Sequence, residues 1–188
     1  GFMMLFILLA FKATQVEPEA SFTKMIPSDH QYISNFLTYR KELASLGNSL
    51  RIIVETNKDD IFTSDFQESL KQITDEVFFM PGVDRSTLKS IWTPNVRWAE
   101  VTEEGFIGGT VIPDGFAGKP ADLAQLRINI LKSGQVGRLV ANNFKSAMIL
   151  APLQDINPQT GDKLNYRSLS NAIEEKIREK YQNADITI

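Results

Sequence analysis

Leu50-Arg-Ile-Ile-Val-Glu-Thr56 and, after the polar turn Asn57-Lys-Asp-Asp60, Ser64-Asp-Phe-Gln-Glu-Ser-Leu-Lys-Gln-Ile-Thr-Asp-Glu-Val-Phe-Phe79 decide the fold class. The first stretch is compact and rich in β-branched residues, so it reads as a strand. The second carries Phe66, Leu70, Ile73 and Val77 on one helical stripe. Ser64 reads as its cap, Gln67 three residues on completes a capping-box pattern, and Pro81-Gly82 stops it.

Working outward, the same alternation recurs. Residues 14–22 read as an extended stretch broken by Pro18. Ile33, Phe36, Leu37, Leu43 and Ala44 predict a helix over about 29–46, ended by Gly47. Residues 83–92 and 96–102 read as strands separated by Pro94-Asn95, with Val96, Trp98 and Glu100 on one face. Residues 105–120, with Gly105, Gly108, Gly109, Pro113, Gly115, Gly118 and Pro120, read as a long, mobile loop. Leu123, Leu126, Ile130 and Leu131 predict an inward helical face over 121–132. Ala147-Met-Ile-Leu-Ala151 is a buried strand within 145–153, and 155–162 is a turn. Tyr166, Leu169, Ile173 and Ile177 mark a last helix to about Tyr181, and 185–188 begin a strand. The order β-α-β-α-β, twice, predicts an α+β chain of two small sandwiches, with approximate subdomains 13–95 and 96–188 and helices on one face of each sheet. A single Rossmann-type sheet would need Gly-rich phosphate loops after its strands, and none is present.

Of 188 residues, 43% are hydrophobic and 23% charged, so the chain has the composition of a folded domain. A formal charge of −3 leaves no basic excess for a phosphate-neutralising face, so nucleic acid is not an expected partner. There is no cysteine, which excludes disulfides and thiolate metal sites, and the single histidine, His30, excludes multi-imidazole sites. The opening run Phe2-Met-Met-Leu-Phe-Ile-Leu-Leu-Ala-Phe11, before Lys12, is apolar throughout but about half the length of a membrane span. A core helix, a signal-peptide core and the end of a membrane helix compete for it. The last is favoured, because the run has no polar face and no clear cleavage site. Residues 1–12 are therefore expected to end a transmembrane helix, and the chain to be truncated at its C-terminus.

No motif carries chemistry. Asp155-Ile-Asn-Pro-Gln-Thr-Gly-Asp162 has Thr160 and Tyr166 where a calcium loop wants Gly and Glu. His30 beside Asp29 reads as a cap or surface residue. Asp59-Asp60 and Glu103-Glu104 read as solvated turn charge. Trp92, Trp98, Phe106 and Phe116 are the candidates for lining a path for an apolar substrate. The plainer reading of the tryptophans is packing between sandwiches, and that of Phe106 and Phe116 is pinning a surface loop. No catalytic activity, cofactor or metal is expected.

Ala20-Ser-Phe-Thr-Lys-Met-Ile-Pro27, Phe78-Phe-Met-Pro-Gly-Val83, Thr93-Pro-Asn-Val-Arg97 and Gly134-Gln-Val-Gly-Arg-Leu-Val140 resemble the first periplasmic loop of resistance-nodulation-division (RND) exporters, in the branch related to mycobacterial membrane proteins large (MMPL) and to Patched. The likeness spans essentially the whole chain and consists of similar text rather than a catalytic fingerprint. It implies ferredoxin-like porter subdomains facing the periplasm from a bacterial inner membrane. It also implies proton-driven export through membrane helices outside this chain, and hydrophobic or lipid-like substrates. The partners it implies are the remaining membrane helices and second periplasmic loop of the same transporter. The runner-up is a membrane-anchored binding or sensor domain.

Overall fold

The computed structural model describes residues 3, 31–39, 48–103, 105–154, 156 and 161–188. The chain divides into two compact units, 1–42 and 43–188. In the first, α1 (Gln31–Thr38) closes with Tyr39 N–H donating to Asn35 O. The expected helix over 29–46 is thus seen as these eight residues, with a bend at Tyr39, and residues 40–47 lie outside the described set. The extended stretch 14–22 and the apolar run 2–11, apart from helical Met3, also lie outside it.

The second unit is mixed α+β. Its elements are β1 (Ser49–Thr56), α2 (Ser64–Phe79), β2 (Arg97–Thr102), β3 (Gly105–Thr110), α3 (Pro120–Lys132), β4 (Ser146–Pro152), α4 (Tyr166–Ile173) and β5 (Ile186–Thr187). α4 runs without a break through a π-helical stretch, Glu174–Arg178, into a last turn, Glu179–Tyr181. The strands form a three-stranded sheet ordered β4-β1-β5 and a two-stranded ribbon, β2-β3. Every pairing between these strands is antiparallel. The larger sheet takes β1 from the stretch expected as one subdomain and β4 and β5 from the other.

β1 sits in the middle with a period-two burial pattern. Ile52, Val54 and Thr56 are buried, while Arg51, Ile53 and Glu55 are exposed. Across the ladder, Ile52 faces Ile149 and Val54 faces Ala147, so one sheet face is apolar. Leu70, Ile73 and Val77 of α2 and Ile177 of the π-helical stretch are fully buried in the same core cluster. α2 lies against β4 and against that stretch, so both helices cover one face of the sheet.

The other edge of β4 is closed by irregular chain. Met148 N–H donates to Leu139 O, Leu150 exchanges both main-chain bonds with Lys89, and Pro152 O accepts from Asp84 N–H. The expected strand 83–92 is therefore two single bridges, at Val83 and Lys89. Asp84 explains the interruption: its carboxylate accepts from Ser86 N–H and Oγ, which turns the chain where a strand would continue.

Three further expectations change. Thr63, not Ser64, caps α2, accepting from Phe66 N–H at 3.4 Å, and Gln67 is buried rather than part of a capping box. The expected loop 105–120 begins as β3, paired residue for residue with β2 from Arg97–Thr110 to Thr102–Gly105. Gly108 serves that pairing: a Cβ there would come within 2.5 Å of Trp98 O. On α3, Leu131 is 56% exposed and Asn129 takes the inward position instead. Asn129 Nδ2 donates to Val111 O and Gln125 Nε2 to Asn129 Oδ1, so the buried amide is satisfied.

Candidate functional site

Trp92 and Phe116 come together. The turn that follows Leu88 is tied by its own side chains. Thr93 Oγ1 donates to Ser90 O, Ser90 N–H donates to Thr93 Oγ1, and Asn95 Nδ2 donates to Leu88 O. This sets the Trp92 indole over α2, where Nε1–H donates to Gln67 Oε1 at 3.1 Å. Gln67 Nε2 in turn donates to Ile61 O at 2.9 Å. The indole meets Phe116 edge to face, with centroids 5.4 Å apart at 89°. Thr74 Oγ1, which donates to Leu70 O, also lies 3.0 Å from Ser90 Oγ. Among the described residues no buried side-chain polar atom lacks a partner. The cluster is a closed fastening between α2 and the loops at 90–96 and 111–119.

Trp98 and Phe106 lie elsewhere, on opposite faces of the β2-β3 ribbon. Trp98, Glu100 and Ile107 share the face toward α3. Lys132 on that helix pairs with Glu100 and stands 5.4 Å from the Trp98 ring centroid, a cation–π contact. The indole lies along Gly109, whose missing side chain leaves room for it. Phe106, on the outer face, is 84% exposed, and Val101 directly opposite is 72% exposed. The four candidates therefore form one half-buried pair, one inner-face residue and one residue near the ribbon's tip, not one pocket.

A groove at the start of α4 has no counterpart among the sequence expectations. Pro81, Leu164, Asn165, Ser168, Leu169 and Ala172 line an open depression of about 240 Å³ at the start of α4. Leu164 packs onto Gly82 (φ +83°), so that a Cβ there would overlap the tip of the leucine side chain and displace it. Asn165 Oδ1 accepts from Ser168 N–H as the α4 cap. An Asn before the Tyr166 stripe was the legible cap signal, but the packing on Gly82 had none.

Several titratable side chains are engaged in turns and ion pairs. Asp60 accepts from Phe62 N–H and receives Arg127, whose guanidinium lies 5.0 and 5.1 Å from the Phe62 and Phe144 ring centroids. Hydrogen bonds from Ser86, and more weakly Thr87, hold the Asp84 carboxyl below its ordinary value. Asp185, with Asp65 adding to it, raises Lys58, and Glu76 raises Lys180. Glu103 is exposed in the ribbon's turn, and His30 lies outside the described residues. Among the described residues no three His, Cys, Asp or Glu side chains are grouped to hold a metal, and no helix is long and apolar enough to cross a membrane. A scan against protein-family models gives no match, and a search of curated proteins gives none either.

Proposed function

We propose that this chain is extracytoplasmic porter structure of a proton-driven RND-type exporter in the MMPL/Patched-like branch, receiving and passing hydrophobic or lipid-like substrates. The observation that carries the reading is strand order. Taken outward from β5, the order is β5, β1, β4 and then the bridged segment at 83–89, with neighbours antiparallel. In chain order this is β1, α2, the 83–89 segment, β4, α4 and β5. We read this order as the split β-α-β-β-α-β arrangement of a ferredoxin-like unit, the subdomain type that the RND resemblance implies. The β2-β3 ribbon and α3 are an insertion between its second and third strands and form the start of a second subdomain. The chemistry is consistent with a conduit: apolar side chains at a ribbon tip, an open groove, and carboxylates engaged in turns and ion pairs.

Mapping the topology of the full-length parent polypeptide tests this. Reporter fusions should place residues 48–188 on the extracytoplasmic side, with about twelve spans in the whole protein. A cytoplasmic location would overturn the reading. A single further span would replace it with the anchored binding or sensor domain.

A further inference from the structure

The β2-β3 ribbon ends in two unpaired backbone edges. Val111 N–H donates to Val96 O, so the alternation of an antiparallel ladder makes Trp98–Gly109 and Glu100–Ile107 hydrogen-bonded pairs. Phe106, Gly108 and Thr110 therefore turn their N–H and C=O groups outward. Among the described residues no main-chain group meets them. Proteins usually blunt such an edge with charge, proline or a covering element. β2 carries Arg97 and Glu100, but Gly105-Phe-Ile-Gly-Gly-Thr110 has neither charge nor proline.

We propose that this edge is a homodimerisation strand: β3 pairs antiparallel with β3 of a second copy of this chain, about a two-fold axis through Ile107. The edge is self-complementary in that register. Phe106, 84% exposed, falls opposite Gly108 of the second copy, and the symmetry repeats the pair. A phenyl ring across from a strand glycine covers backbone that the glycine leaves bare. Ile107, 48% exposed, meets Ile107 of the second copy on the inner face. Both members of each Phe106–Gly108 pair point their main-chain groups outward, which gives about four new main-chain hydrogen bonds. Charge fits too. Glu103 at the turn and Arg97 at the opposite end are both exposed, and neither has an ion-pair partner among the described residues. Antiparallel pairing carries each turn toward the Arg97 end of the other copy. The contact is isologous and closes at two.

The absence of native cysteine makes the register directly readable. Single cysteines at 106, 107 and 110 would be introduced into the full chain and oxidised. The Ile107 positions would sit about 4.5 Å apart as a non-hydrogen-bonded pair, inside the reach of a disulfide. The Phe106 positions would be offset by two residues, about 7 Å along the strand. Ile107→Cys should cross-link at least tenfold faster than Phe106→Cys or Thr110→Cys. Adding Phe106→Lys should suppress that cross-linking and, at protein concentrations where the chain is monomeric, leave Tm unchanged, since the side chain is then largely in solvent. In sedimentation velocity the unmodified chain should show a concentration-dependent dimer that Phe106→Lys removes. A chain that stays monomeric at hundreds of micromolar, a rate maximum at 106, or a dimer untouched by Phe106→Lys would each overturn the proposal.

Discussion

Replacing Gln67 by leucine isolates the fastening under Trp92. Gln67 is fully buried, and its amide joins two groups with no other partner among the described residues, the Ile61 carbonyl and the indole N–H of half-buried Trp92. Leucine matches the volume and removes both bonds. Leaving a buried donor or acceptor unpaired costs about 1–3 kcal/mol each. The added apolar burial offsets about 1 kcal/mol. The net loss is therefore about 3 kcal/mol. For a domain of this size 1 kcal/mol shifts Tm by about 2–4 °C, so thermal unfolding followed by circular dichroism should drop by about 6–12 °C. Urea denaturation should show a lower midpoint at unchanged slope. The double variant Gln67→Leu with Trp92→Phe should lose about 1 kcal/mol less than the sum of the two singles, because the orphaned indole donor is gone. A Tm drop below about 2 °C, or strict additivity, would refute the claim that Trp92 is anchored through Gln67 and return it to the list of path-lining residues.

Asp84 has a lowered folded pKa, so its contribution is present above the ordinary value of 3.8 and is lost as pH falls through the folded value. The Tm gap between the native chain and Asp84→Asn should be full at pH 6 and close in acid; a gap that widens below pH 4 would reverse the assignment. Hydrogen exchange at low protein concentration should alternate along β3, with Ile107, Gly109 and Val111 slow and Phe106, Gly108 and Thr110 fast; uniform exchange would contradict the ribbon. Gly82→Ala combines a left-handed φ with overlap on Leu164 and should cost about 2 kcal/mol or more; thermal unfolding of that variant at native Tm would show that the α4 cap does not pack there. Deleting residues 1–11 should shift Tm by less than about 10 °C, and a larger fall would make that run part of a core.

The central helix and strand were legible because one physical signal dominated each. In β1 the β-branched run alternates inside and outside, and in α2 Phe66, Leu70, Ile73 and Val77 share a stripe that nothing contradicts. Errors arose where side-chain hydrogen bonds compete with periodicity. Val83, Leu88 and Ile91 have the apolarity of a strand and are buried as one would be, but Asp84 and Thr93 fold the backbone into turns. Glycine misled in the opposite direction. Gly108 and Gly109 looked like loop residues, yet they are what the close approach of Trp98 to β3 requires. Gln67 has the spacing of a local cap, and its distant partner, Trp92, gives no signal at that range. The candidate site was legible only as a set of aromatic residues. That Trp92 meets Phe116 while Trp98 and Phe106 part to opposite ribbon faces depends on β2-β3 pairing, which the loop assignment had removed.

Proton-coupled transport by the full-length parent tests the functional reading most directly. The parent would be reconstituted in liposomes holding a fluorescent acyl-chain lipid analogue, with a pH gradient imposed across the bilayer. The account predicts analogue movement across the bilayer that stops when a protonophore collapses the gradient. Movement that continues unchanged without the gradient, or no movement beyond that of protein-free liposomes, would contradict it.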